Sequence, residues 1–194
     1  MGVTGLVRCY GWRMSRLVLI NGPPGSGKST IALSLAQDRP LTLALDVDAI
    51  KHALGRWDAD PSSSGLHARR LSLALAAEQL RSGLDVVVGQ YLAKTSFIED
   101  LEHLAGECDA QFHEFVLDVD GVELASRLAI RGTHPDRPEH EINNRLVGPE
   151  DADLLVQSLQ ALRQSRPRAI WVDARGSLAA TVSILRFQLA SAVD

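Results

Sequence analysis

Lys28, Ser29 and Thr30 set one ammonium and two hydroxyls side by side, directly behind glycines at 22, 25 and 27 in the stretch GPPGSGKST. Gly22 to Ser29 fits G-x-x-x-x-G-K-[ST] at every fixed position. Backbone N–H groups can wrap a phosphate only where no side chain obstructs, which accounts for the three glycines; Pro23, Pro24 and Ser26 complete the loop. The helix that follows turns its positive N-terminal end toward the same anion. Lys28 is a point charge for β- and γ-phosphates, and the Ser29 hydroxyl suits Mg²⁺. Residues 22–30 are therefore read as the cradle of a nucleoside triphosphate, with ATP and Mg²⁺ as cofactors.

A phosphate cradle does not name a reaction; the carboxylates around it narrow the choice. The Asn-Lys-x-Asp string that reads guanine in regulatory GTPases is absent. Motor-type and AAA+ ATPases usually end an apolar strand on two acids, whereas DVVVGQY ends on Gln90. The metal needs another acid. LTLALDVDAIKHAL supplies two, Asp46 and Asp48, at the end of the second strand candidate. The carboxyl ends of parallel strands form the ligand edge, so both fall beside the loop. Two residues apart on a strand, their side chains can point the same way. One can hold a metal-bound water while the other accepts a proton from an attacking hydroxyl. Either could instead cap the helix starting near Ala49.

Arg127 and Arg131, four apart in VELASRLAIRG, share one helix face, and Asp120 with Glu123 marks where that helix starts. Phosphoryl transfer is mostly positioning and cationic stabilisation, for which arginine's planar fork is suited. A solvated arginine face is the plainer alternative. Arg137 is a weaker candidate in the polar segment 131–145, RGTHPDRPEHEINNR, which is long enough to be a lid. Residues available to an acceptor are His52, Trp57, Arg69, Arg70, Gln90 and Tyr91, beneath a second polar loop at 57–65. Asp173 to Ser177 should run near the adenine.

These groups need a scaffold. Short β-rich runs at Leu17–Asn21, Leu41–Leu45, Asp85–Gly89, Phe112–Leu117 and Ala169–Val172 alternate with helical stretches, the pattern of a parallel sheet with crossover helices. Leucines at 66, 73 and 80 precede Gly83 at a helix C-terminus, Ser96 with Glu99 suggests a capping box, and Ser177 opens a last helix with Leu178, Val182, Leu185 and Leu189 on one stripe. The 194 residues fit one domain, read as 15–194, with residues 1–14 an appendage expected to be disordered. A net charge of −4 without a basic field argues against nucleic acid as partner, and no apolar run reaches spanning length. Cys9 and Cys108 form no metal spacing and suggest a reducing, cytoplasmic setting.

The chain resembles small P-loop kinases, the group of shikimate and gluconate kinases, chloramphenicol phosphotransferase, zeta-type toxins and tunicamycin-resistance proteins. The likeness rests on NGPPGSGKST, LDVDAIKHAL and ELASRLAIRG and covers about residues 16–192. It implies a P-loop NTPase fold, α/β, with a five-stranded parallel sheet in the order 2-3-1-4-5, helices on both faces and a lid. It also implies transfer of the ATP γ-phosphate to a hydroxyl of a small molecule, a metabolite or antibiotic. By the same resemblance Asp48 is the base or substrate-orienting acid, Asp46 and Ser29 serve the metal, Arg127 meets the nucleotide base and Arg131 the phosphates. Lys28, Asp48 and Arg131 form the catalytic set, and Asp48, Arg69, Arg70, Gln90 and Tyr91 the acceptor set. VGQYLAK departs from the Gly-Gly-Gly turn of shikimate kinases, so the acceptor does not carry over. A tunicamycin-resistance type of nucleotide-binding protein and a non-catalytic ATP-sensing module are the alternatives; the expected state is monomer or homodimer.

Overall fold

The computed structural model describes residues 14–133 and 147–191. Five strands form one sheet: β1 (Arg16–Asn21), β2 (Leu43–Leu45), β3 (Val86–Gln90), β4 (Gln111–Asp118) and β5 (Ile170–Asp173). All pairings are parallel and the spatial order is β2-β3-β1-β4-β5, as the sequence predicts. Successive strand side chains alternate faces, so Leu17 and Leu19 enter one core layer and Val18 and Ile20 the other. Covering both faces explains why β1 is apolar without alternation.

The helices are α1 (Lys28–Ala36), α2 (Val47–His52), α3 (Pro61–Arg81), α4 (Ser96–Glu107), α5 (Gly121–Thr133), α6 (Ala152–Gln160), α7 (Leu162–Ser165) and α8 (Leu178–Ser191). Helices α1 and α8 cover one face through Ile31, Leu35, Val182, Leu185 and Leu189. Helices α3, α4, α6 and α7 cover the other through Ala76, Leu80, Phe97, Leu101, Leu159 and Leu162. The arginine-bearing α5 packs apart from both, with Leu124 and Leu128 meeting Val119 and Ala152 in a small core of their own. Among the described residues, no helix is long and apolar enough to cross a membrane.

Several expectations need correction. Half of the 57–65 loop is helix: Asp60 accepts from the Ser62 and Ser63 N–H groups, Pro61 takes the first turn, and α3 starts there. Proline at that position sacrifices no helical hydrogen bond. Strand β2 begins at Leu43, not Leu41; Leu41 has φ 58° and Thr42 donates to Arg39 O in a turn. No capping box opens α4. Thr95 is its N-cap, already in helical geometry, with no side-chain cap bond, so Ser96 lies inside the first turn. The segment 149–165, to which the sequence reading assigns no element, is a short 3₁₀ turn followed by α6 and α7. Ser177 does cap α8, accepting from the Ala180 N–H. Of the lid expected at 131–145, residues 131–133 are the end of α5; its remainder with Arg137, and the expected appendage up to residue 13, lie outside the described residues.

Candidate functional site

The sheet order leaves β1 between β3 and β4, with chain crossings running to either side of it. Ligands bind α/β sheets at such a switch point, outside the carboxyl ends of the strands. The glycine loop occupies that place. Gly25 and Gly27 have φ of 86° and 92°, left-handed values that side-chain-bearing residues rarely adopt, and Gly27 is the N-cap of α1. Ser26 N–H closes the turn on Pro23 O, and Lys28 Nζ reaches back to the same oxygen at 2.8 Å. The lysine thus stands over the loop mouth. Ser29 is half-buried in the first turn of α1; Thr30 is exposed beside it.

Asp46 and Asp48 both reach this mouth, by a different route from the one expected. They do not alternate along a strand, since β2 ends at Leu45. Asp46 is the N-cap of α2: its Oδ1 accepts from the N–H groups of Asp48 and Ala49 at 3.0 and 3.2 Å. Its Oδ2 lies 3.4 Å from Ser29 Oγ. Asp48 sits in the first helical turn, where burial and the Asp46 charge push its carboxyl above the usual range while Lys28, His52 and Lys51 pull it down. Lys28 in turn is lowered to about 8, first by burial and then by Arg131, against the opposing pull of Asp48 and Asp46. Asp48 and Lys28 thus act on each other electrostatically, each favouring the other's charged form. Arg131, from the last turn of α5, is close enough to repel Lys28 and is itself lowered by burial.

A cavity of about 270 Å³ opens beside the loop, lined by Gly25, Ser26, Gly27, Ile31, Arg127, Ala174, Gly176, Leu178 and Thr181. Residues 174–176 therefore border the predicted base pocket. Arg127 forms one wall, held by Nε to Glu123 Oε1 at 2.7 Å and by Nη2 to the Ala174 carbonyl at 2.7 Å. Its guanidinium thus ties α5 to the β5–α8 loop.

Where the sequence reading expects an acceptor, alternation along β3 sets two neighbours against each other. Gly89 faces α1, where a Cβ would come within 3.2 Å of Lys28 O. Gln90 consequently faces the α3–α4 side. Arg69 lies with its guanidinium 5.4 Å from the Phe97 ring centre and has no hydrogen-bond or ion-pair partner among the described residues. Arg70 is exposed on α3. Tyr91 Oη is 2.8 Å from Ser158 Oγ, a contact that anchors α6. His52 and Trp57 pack on one another at 4.5 Å beyond Asp48.

Two positions escaped the sequence reading. Asn21, fully buried, pairs both ways with the Leu92 backbone at 2.9 Å and fixes the chain leaving β3 beside the loop. Its signal was present: a lone amide ending an apolar strand. Gly89 admits α1 close against β3, and no local pattern announces it.

For Mg²⁺, the fit is chemical. Ser29 hydroxyl and Asp46 carboxylate are hard oxygen donors in neighbouring positions. Among the described residues no three His, Cys, Asp or Glu side chains gather for a metal. That matches an ion completed by substrate phosphates rather than by a protein cage.

The AAA domain family model matches residues 17–146. No curated protein matches the sequence. Among solved structures, a gluconokinase from Sinorhizobium meliloti 1021 superposes with TM-score 0.56 at 21% identity, covering 94% of this chain and 99% of that one. The Deinococcus radiodurans tunicamycin resistance protein gives 0.59 at 18%, over 90% and 95%. A deoxyadenosine kinase from M. mycoides gives 0.53 at 16%, over 90% and 98%. At these identities they share the fold, which is that of P-loop NTPases.

Proposed function

The chain belongs to the AAA domain family, and from that premise we propose that it is an ATP-dependent phosphotransferase acting on a hydroxyl of a small molecule. The observation that carries this reading is the reach of Asp46, whose Oδ2 lies 3.4 Å from Ser29 Oγ while its Oδ1 accepts from the Asp48 N–H, so that the helix turn bearing Asp48 is tied to the phosphate loop.

In this reading the acceptor oxygen forms a bond to Pγ as the bond from Pγ to the β–γ bridging oxygen breaks, and ADP leaves. The acceptor proton passes to Asp48, whose raised affinity for protons suits a base working near neutrality. Lys28 and Arg131 hold the transferring group and offset its charge. Arg127 and the 174–176 loop hold the base. Bound Mg²⁺ would neutralise β- and γ-oxygens, with Ser29 as the direct protein donor and Asp46 next to it. Arg69 and Gln90 border the acceptor space.

Asp48→Asn tests this. Mg-ATP binding should persist while acceptor-dependent ADP release falls by about 10²–10⁴. Asp48→Asn that keeps acceptor-dependent turnover would take the base role from Asp48, whereas wild type that binds Mg-ATP with no acceptor-dependent ADP release would mark the site as a nucleotide sensor.

A further inference from the structure

The Gln90 side chain ends β3 beside the phosphate loop with its polar atoms unused by the fold. Its Oε1 is buried without a hydrogen-bond partner, and its amide nitrogen bonds to no described residue. A buried acceptor left unmade is costly, so a native orphan calls for a reason. Two of its neighbours do have partners. Asn21, its register neighbour on β1, is paired to Leu92, and Tyr91 to Ser158.

Position fixes what Gln90 can meet. It is the last residue of β3, level with the residue that opens the phosphate loop, one step from Gly89 against Lys28. At the strand end level with Asn21, Gln90 is placed to meet an acceptor near its reacting oxygen rather than at a distant tail. A carboxamide offers both an acceptor and a donor. A second hydroxyl answers both, giving its proton to Oε1 and receiving one from Nε2.

We infer that Gln90 is a specificity-determining residue that reads the neighbouring hydroxyl of a vicinal diol, so the acceptor is a polyol or sugar rather than an isolated alcohol. The inference rests on the phosphotransferase reading and deepens it. It assigns Gln90 no part in the proton transfer, which remains with Asp48.

The test uses matched pairs as acceptors with Mg-ATP: erythritol against 1,4-butanediol, and glycerol against 1,3-propanediol. ADP release above the acceptor-free rate is measured for wild type, Gln90→Leu and the gentler Gln90→Asn. Mg-ATP affinity is followed separately by thermal shift and reports that each variant is folded. A site built to bond a hydroxyl rejects its deoxy analogue strongly, so in wild type at least one vicinal diol should exceed its partner by about tenfold or more in kcat/KM. In both variants that ratio should collapse toward one through loss of the vicinal-diol rate, with Mg-ATP affinity retained. A ratio unchanged by either folded variant, or a panel in which no vicinal diol outperforms its partner, overturns the inference. Failure of the wild type to bind Mg-ATP would remove the phosphotransferase reading itself, and is seen in the thermal-shift arm alone.

Discussion

Ser29 Oγ stands 3.4 Å from Asp46 Oδ2, while the other oxygen of that carboxylate caps helix α2 at the Asp48 N–H. One side chain therefore joins the phosphate-loop helix to the helix bearing the proposed base. Its two duties separate by substitution. Asp46→Asn preserves a good N-cap, so stability should stay within about 0.5 kcal/mol of wild type. The lost charge beside the metal position should raise the Mg²⁺ needed for half-maximal activity by about 10–100-fold. Asp46→Ala should show the same Mg²⁺ defect and also lose about 1 kcal/mol of stability to urea. Equal Mg²⁺ curves for wild type and Asp46→Asn would confine Asp46 to capping.

The activity should depend on pH through two groups pushed toward neutrality from opposite sides. Asp48 acts as a base only when ionised, so the acid limb of the profile should lie above the ordinary carboxylate range. Lys28 holds phosphate only when protonated, so kcat/KM for ATP should fall above about pH 8. Lys28→Arg, being weaker but untitratable, should lose that alkaline limb. The stability consequence has the opposite sign. Between about 8 and the ordinary 10.5 the unfolded chain keeps a proton that folded Lys28 has released, so the lysine favours folding increasingly as pH rises across that window.

The phosphate loop and sheet order were legible because their chemistry is local. A loop of fixed glycines follows a doubly buried strand, and the alternation of β-runs with helices admits few topologies. The pairing of Asp46 and Asp48 was legible as composition but not as geometry. Whether β2 ends at residue 45 or 47 decides strand alternation or helix capping, and boundaries are the least local feature of an element. Arg127 shows the limit from another side. Its helix face was readable, but its bond to the Ala174 carbonyl joins residues 47 apart in sequence, and nothing in either stretch encodes the other. Gln90 stood out as a polar end to an apolar strand, yet only packing reveals that its Oε1 has no partner.

Glu123 and Arg127 offer a graded test of the base pocket. Arg127 spans from Glu123 to the Ala174 carbonyl, a two-ended reach that lysine's single ammonium cannot reproduce. Arg127→Lys should raise the KM for ATP by about tenfold with little change in kcat, since the base is bound equally before and during transfer. Glu123→Gln frees one end only and should produce a smaller rise of the same kind. A loss confined to kcat in either variant would place Arg127 at the phosphates instead.

Far from the site, Arg166 joins two carboxylates across layers: Nε to Glu114 Oε2 at 2.9 Å, and Nη2 to Glu102 Oε2 at 2.7 Å. Glu114 is buried in β4, and that burial raises its pKa despite the arginine. Arg166→Met keeps most of the stem's volume and removes the charge. It leaves a buried carboxylate uncompensated and Glu102 facing it, at a cost of about 3–5 kcal/mol near neutral pH. The sign with pH follows from the raised pKa. Folded Glu114 holds its proton to a higher pH than the unfolded chain does, so its contribution favours folding at acid pH and is lost as pH rises. The penalty of Arg166→Met should therefore shrink as pH falls, because protonation removes the stranded charge. Urea unfolding of both proteins across pH 4.5 to 8, taken from the ordinary glutamate value upward, measures this directly. A penalty constant over that range would mean that the arginine contributes by packing its stem rather than by neutralising Glu114.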